Sequence, residues 1–193
     1  MEEKMNAAVT LGAVLSARAG LSERARATGV FTVEHRNAAG ELLWSGGFPN
    51  TVVTLGKNLA LDTFLAGSAY TVTGPYMGLI SLASFSAIAA ADTMASHAGW
   101  LEAGVTNAPT YTIPRKTCVW SAAAAGAKAL SAALSFAFTG TGTVKGVFLV
   151  YGTGALATVD NTAGTLLSAG LFSGGDRAVT SGDSLAVSYS MSL

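Results

Sequence analysis

The fold class is decided by the stretch Leu185-Ala-Val-Ser-Tyr-Ser-Met-Ser-Leu193, in which large apolar residues alternate strictly with Ala and Ser. Successive side chains of a β-strand point to opposite faces, so a period of two predicts a strand with one apolar and one polar face. The turn residues Ser181-Gly-Asp183 directly precede the stretch. We therefore predict a strand of an antiparallel sheet that buries one face.

The same pattern recurs along the chain from residue 30 onward. Val30–Arg36 alternates after its first pair, and the turn Asn37-Ala-Ala-Gly40 separates it from Glu41–Ser45. Two strand-like stretches around a short Asn/Gly turn predict a β-hairpin. Further strands are predicted at residues 75–81, 117–123, 130–138, 144–151 and 164–172.

One helix is expected, over Leu55–Leu65. Residues 84–114 show little strand pattern until their end, and segments of this length in a compact domain are usually functional or form interfaces. Seven or so short strands with glycine-rich turns and no βαβ alternation predict an all-β fold. We expect an antiparallel β-sandwich with Greek-key or jelly-roll connections. The helix is expected to present Leu55, Leu59, Leu61, Phe64 and Leu65 near one face, with Gly67 as its stop.

Residues 1–28 differ from the rest, being rich in Ala with scattered charges. We interpret them as an N-terminal arm, extended or partly helical, that is ordered mainly by contact with something else. Residues 29–193 form the β-sandwich domain. A secretion signal is the alternative for the arm, because Ala17-Arg-Ala19 resembles a cleavage site. Glu2 and Glu3, where a signal peptide carries positive charge, argue against it.

The composition is poor in charge. Apolar residues make up 50% of the 193 residues and charged residues only 11%, with 11 Lys and Arg against 11 Asp and Glu. An ordinary globular protein has about 25% charged residues. We therefore expect much of the surface to be covered by neighbouring molecules. A small β protein with a polar surface rich in Ser and Thr is the alternative.

Composition also limits the partners. No basic run is present, and Glu23 partly offsets the group Arg18, Arg24 and Arg26, so we expect no nucleic acid as partner. Residues 63–91 carry no charge, but Gly74-Pro75 and many Ser and Thr indicate strand and loop rather than a membrane span. Cys118 is the only cysteine, which excludes an intrachain disulfide, and we expect it to be buried.

No catalytic constellation is recognisable, and we predict no catalytic, cofactor-binding or metal-binding residues. His35 is expected on the exposed face of its strand. His97 follows Asp92 and Ser96, but a Ser-His-Asp triad needs a fold to bring its groups together, so we expect a structural hydrogen bond there. The stretch 160–164 is a turn rather than a cation loop, because it lacks the ligand repeat of such loops. The tryptophans Trp44, Trp100 and Trp120 are expected to anchor the core or an interface.

Seven stretches of the chain carry a resemblance to known proteins: Phe31–Trp44, Phe48–Asp62, Tyr76–Leu79, Ala90–Glu102, Thr143–Leu149, Gly164–Leu166 and Gly182–Leu185. Together they resemble small virion structural proteins of tailed bacteriophages, of the head-decoration or cement type. The resemblance covers roughly residues 30–193 and leaves the arm outside. It implies a non-enzymatic β-sandwich protein present in many copies on the particle.

These observations favour a capsid decoration protein, made in the host cytoplasm and bound to the outside of the shell. Its partners would be the major capsid protein and further copies of itself, as a dimer or trimer. The alternative is a tail or fibre tip module that binds the host surface with exposed aromatic residues, for which Trp100 and Tyr111 are candidates. An enzyme acting on cell-wall polymers would need paired carboxylates, which the sequence lacks.

Overall fold

The computed structural model describes residues 27–65 and 73–192. Within these residues the chain forms eleven strands and one helix, and the strands form two sheets in which every pair is antiparallel. The predicted all-β, antiparallel sandwich is confirmed. The elements are β1 (Thr28–Arg36), β2 (Leu42–Pro49), β3 (Thr51–Val52), α1 (Thr54–Leu65), β4 (Tyr76–Ser81), β5 (Lys116–Thr117), β6 (Ala127–Ala129), β7 (Leu134–Ala137), β8 (Gly142–Tyr151), β9 (Thr165–Leu171), β10 (Arg177–Val179) and β11 (Ser184–Ser192).

Sheet A has the strand order β2-β1-β11-β6, and β7 also pairs with β11. Strands β1 and β11 pair along their whole length, from Thr28 opposite Ser192 to Arg36 opposite Ser184. The predicted hairpin of β1 and β2 is confirmed, with a register shift between His35 and Arg36. The first and last described strands thus lie side by side at the centre of this sheet.

Sheet B has the order β3-β9-β8-β4-β5, and β10 also pairs with β8. The main core cluster of the protein lies between the two sheets. It includes Phe31, Phe136 and Val187 from sheet A and Val147 and Leu149 from sheet B. Burial of this shared layer holds the two sheets together, since each removes its apolar face from water only against the other.

A second core cluster covers the opposite face of sheet B. Along β8, Val147 and Leu149 belong to the cluster between the sheets, whereas Phe148 and Val150 belong to the second cluster. Because neighbouring residues of a strand point to opposite faces, this division means that sheet B is buried on both sides. The continuous apolar run in β8 is typical of such a strand.

The cover over sheet B comes from irregular chain. We call residues 84–103 the cover segment; its Met94 and Trp100 pack in the second cluster, with Phe85 and Ile88 at the edge. The cover segment is fixed to the edge of sheet B by backbone hydrogen bonds, from Ser81 N to Leu101 O at 2.9 Å and from Ala103 N to Leu79 O at 2.8 Å. The long segment that lacks a strand pattern is therefore a layer of the fold.

The predicted helix is confirmed, but Leu55 and Leu61 of its predicted apolar face are exposed and Leu59 is half-buried. Leu55 and Leu61 remain 42% and 55% exposed. The helix approaches β9 through Gly56, where a Cβ atom would lie only 2.3 Å from the carbonyl oxygen of Leu167. The first turn of α1 therefore contacts β9 through backbone atoms of both elements. The spacing of leucines in the sequence does not predict such a contact.

Two predicted strands are altered in the structure. Of the stretch 117–123, only Thr117 lies in a strand, the two-residue β5, and Trp120 makes an isolated bridge to Leu130. Of the stretch 130–138, only Leu134–Ala137 forms a strand, β7, and Phe136 and Phe138 are buried as the alternation predicts. The arm, except for its last two residues, and the predicted stop Gly67 lie outside the described residues.

The close approach at Gly56 gives a prediction opposite to helix propensity. Ala is favoured over Gly inside a helix by about 1 kcal/mol, yet Gly56→Ala should lower the free energy of unfolding by about 1–3 kcal/mol because the methyl group meets Leu167. Urea denaturation measures it. The control is Gly47→Ala, where the nearest atom is 3.6 Å away, and where stability should be unchanged or higher. A stabilised Gly56→Ala variant would contradict the packing described.

Candidate functional site

The described residues include five buried side chains of Asp, Glu, His or Arg, and they fall into three places. Glu102 and Arg115 form one pair, and His35 and Asp183 another. Asp92 lies in the cover segment beside Trp100. Burying a charge is costly unless it is paired and hydrogen-bonded. Each place is therefore either a structural contact or a reactive site, and the hydrogen-bond partners of each group show which of the two it is.

Glu102 and Arg115 form a two-pronged ion pair. Arg115 donates from Nε to Glu102 Oε1 at 2.8 Å and from Nη2 to Oε2 at 2.7 Å. Both side chains are almost completely buried, and the guanidinium lies 5.4 Å from the centre of the Phe148 ring. Burial raises the pKa of Glu102 above its ordinary value, and Arg115 opposes that shift.

The remaining hydrogen bonds of this pair connect it to a distant loop. Arg115 donates to the carbonyl oxygens of Leu156 at 3.0 Å and Asn161 at 2.7 Å, and the backbone N–H of Asp160 donates to Glu102 at 2.8 Å. The pair therefore fastens the end of the cover segment and residue 115 to the loop between β8 and β9. Sequence reasoning missed it, because two residues thirteen apart on irregular chain carry no periodic signal.

A small cavity of about 180 Å³ lies beside the ion pair. Its wall includes Glu102, Arg115, His97, Asn107 and Asp160. Both oxygens of Glu102 already accept hydrogen bonds from the protein, and Asp160 Oδ2 accepts from the Thr106 hydroxyl at 2.6 Å. The polar groups at this cavity are thus largely engaged with one another, which is typical of a structural network.

His35 lies in the core, which corrects the prediction that it is exposed. It is 5% exposed, and its Nε2 lies 3.2 Å from Asp183 Oδ2. The alternation of β1 explains the error, since His35 has the same parity as Phe31 and Val33 and therefore shares their inward face. Burial opposes ionisation of Asp183, but hydrogen bonds from Thr180 N and from His35 outweigh it and lower the pKa of Asp183.

The residues Asp92, Ser96 and His97 do not assemble a triad. Asp92 Oδ2 accepts from the indole Nε1–H of Trp100 at 3.0 Å and from Ala89 N at 2.9 Å, so it is bonded to Trp100 rather than to His97. His97 stacks on Trp100 with ring centres 3.9 Å apart, and its Nδ1 lies 2.9 Å from Trp100 O. The hydrogen bond expected for His97 is present and anchors the tryptophan.

The other residues named in the sequence analysis pack against neighbouring side chains or lie in turns. Cys118 is buried, which raises the pKa of its thiol to about 12. Trp44 lies half-buried under the Arg177 guanidinium, 3.8 Å from the ring centre, and Trp120 packs edge-on against Tyr189. Asp160 sits in a turn with φ of 62°. Within the described residues, no group of three His, Cys, Asp or Glu is close enough to hold a metal ion.

Two surfaces remain as candidate interaction sites. The first is the outer face of sheet A, which we define by the outward residues of β1, β2, β7 and β11. Its central rows place Val30 opposite Ser190 and Thr32 between Ser188 and Gly47. Most of its side chains are small and uncharged, and the pair of Glu34 and Arg36, 2.8 Å apart, is its main charged feature.

The second surface is an apolar groove of about 550 Å³ where the two sheets meet at a corner. We call it the corner groove. One wall is the end of β2 with the residues that follow, another is the end of β9, and the third is the cover segment at residues 85–88. The apolar side chains lining it are Phe48, Pro49, Phe85, Ile88, Ala169 and Leu171.

No protein-family model matches the chain, and no curated protein and no solved structure matches it either. Among the described residues, no helix has the length and apolar character to cross a membrane.

The buried ion pair generates the first prediction from this site. Arg115→Met should lower the free energy of unfolding by about 3–5 kcal/mol, because it leaves the Glu102 carboxyl buried without its partner. The double variant Glu102→Gln/Arg115→Met should recover part of that loss. Lys145→Met is the control, since its pair with Asp176 is more exposed and worth at most about 1 kcal/mol. Equal losses in Arg115→Met and Lys145→Met would contradict the anchoring role.

The pair of His35 and Asp183 generates a pH-dependent prediction. Because the folded protein lowers the pKa of Asp183, its ionised carboxylate contributes stability above the unfolded pKa of about 3.9, and the contribution disappears as pH falls through the folded value. Asp183→Asn should therefore cost about 1 kcal/mol at pH 7 and progressively less below about pH 4. Denaturation at several pH values measures this. A cost that stays constant into acid would contradict it, and Asp176→Asn serves as the control.

Proposed function

We propose that this protein is a non-enzymatic capsid decoration, or cement, protein of a tailed bacteriophage, which binds the outside of the assembled shell and stabilises it. Its partners would be the major capsid protein and further copies of itself, as a dimer or trimer. Binding only the assembled state stabilises that state by mass action. The proposal rests on the resemblance of residues 30–193 to virion proteins and on the character of the surface.

The outer face of sheet A is the observation that carries the proposal. It is a broad β-surface of mostly Ser, Thr and Ala, with Gly47, Val30 and one ion pair. Small side chains allow two surfaces to approach closely. A contact over this face also desolvates few charges, whose removal from water costs several kcal/mol each. Such a face suits a contact that is repeated many times on a particle.

Exposed aliphatic side chains support the same interpretation. Val105, Ile113, Val119 and Leu156 are each about half exposed. Single exposed apolar residues are ordinary on a protein surface, but here they occur on a chain with only 11% charged residues. We infer that part of this apolar surface is covered on the particle.

The candidate residues of the alternative, a tip module that binds the host surface, are buried. It would use exposed aromatics from residues 84–114, yet Trp100 is 0% and Tyr111 2% exposed. Both are held in the core, Trp100 by Asp92 and Tyr111 edge-on to Phe136. A tip module would therefore need other residues for recognition, and decoration of the shell is the better-supported proposal.

A charge placed at the centre of the outer face should disrupt binding to particles. Thr32→Lys should weaken binding at least tenfold, because the contact would bury an unpaired ammonium. Thr153→Lys, in the exposed turn after β8, is the matched control and should bind normally. Co-sedimentation with particles that lack the protein measures affinity, and an unchanged melting temperature shows that Thr32→Lys folds.

Cryo-electron microscopy of the particles tests the location directly. Density for this chain repeated over the icosahedral shell supports the proposal. Density confined to the tail, or no density on the particle, would overturn it. Equal binding of Thr32→Lys and the unmodified protein, with density on the shell, would leave decoration intact but show that another face makes the contact.

A further inference from the structure

The corner groove is a preformed apolar site next to the point where the described chain begins. Its lining is uncharged among the described residues, and Leu171 at its rim is 37% exposed. Its volume of about 550 Å³ falls in the range of pockets that bind small molecules, about 300–1,000 Å³. It is therefore large enough to take several aliphatic side chains.

The beginning of β1 is fastened to the rim of this groove. Gly29 N donates to Asn50 Oδ1 at 2.9 Å, and Asn50 N donates to Gly29 O at 3.0 Å. Asn50 also donates from Nδ2 to the Tyr189 hydroxyl at 2.8 Å. The neighbours of Asn50 on either side, Pro49 and Thr51, line the groove. Residues 1–26 thus join the fold beside the groove.

We propose that the corner groove binds the chain's own N-terminal segment, with the uncharged stretch Ala7–Leu15 as its ligand. This stretch reads Ala-Ala-Val-Thr-Leu-Gly-Ala-Val-Leu, so its apolar residues complement the apolar lining of the groove. Eleven residues lie between Leu15 and Ala27, so these two residues can be up to about 40 Å apart. The inference concerns the free chain and does not depend on the proposed function.

The short tether decides between the possible occupants. A segment attached this close to its site has an effective concentration on the order of millimolar, which a separate molecule reaches only at high concentration. The groove would otherwise leave its apolar lining open in solution, next to an apolar segment of the same chain. Occupation by that segment removes both surfaces from water together.

A spin label placed at residue 6 tests the proposal in the full-length chain. Asn6→Cys provides the attachment site, because the buried Cys118 thiol, with its pKa raised to about 12, does not compete for the label. We expect the ¹⁵N amide signals of groove residues such as Ser86, Ala87, Gly170 and Leu171 to be lost through paramagnetic broadening, and to return when the label is reduced.

Two substitutions and one mixture complete the test. Ala87→Asp, an exposed position in the groove, should restore the signals by placing a charge in the apolar site. Ala83→Asp, exposed just before the cover segment and outside the groove, should leave them broadened. Unbroadened groove signals in the labelled chain would overturn the proposal. So would equal broadening in a mixture where label and ¹⁵N are on different chains, since a second copy would then occupy the groove.

Discussion

Burial of sheet B on both faces is the constraint on which the rest of this structure depends. One face packs on sheet A, and the other is covered by an irregular segment, since residues 27–65 and 73–192 form no third sheet. Irregular backbone has no ladder to satisfy its polar groups, and buried N–H and C=O groups need partners. The cover segment finds them at the edge of β4, through Ser81 and Leu79, and in side chains, since Asp92 accepts from Ala89 N and the Asn107 side chain donates to Glu102 O.

The buried charges follow from that arrangement. A cover of loops has little regular hydrogen bonding to hold it, and Arg115 supplies four hydrogen bonds from one side chain to two separate chain segments. The ion pair is expensive to desolvate, and apolar residues of the same volume can be as stable. The pair adds directionality, because the planar guanidinium donates hydrogen bonds in fixed directions and its carboxylate and carbonyl partners must lie there. It thereby selects one position for the cover segment and for the loop between β8 and β9.

The sequence predicted those features that depend on local periodicity. The alternation in β1 and β11, the turn before β2 and the existence of α1 all follow from spacing within about ten residues, and the structure has them. The alternation of β1 also places His35 on the inward face, because its position has the same parity as Val33. The prediction that His35 is exposed rests only on the polar character of its side chain, and it is wrong. The Arg115–Glu102 pair and the Gly56 contact were not predictable, because they arise from tertiary approach between elements without a repeating pattern. The two candidate surfaces likewise appear only when strands are placed in order.

The distribution of charge connects the fold to the proposed function. Asp92, Glu102, Arg115 and Asp183 are buried, so the surface carries even fewer charges than the composition suggests. The Ser and Thr hydroxyl groups on the outer face of sheet A bind water but carry no charge. They therefore add none of the long-range charge repulsion that normally keeps protein molecules apart in solution. A surface of this kind favours close contact with a neighbour at low desolvation cost. In the proposed decoration role, this surface would let copies of the chain pack closely on the particle.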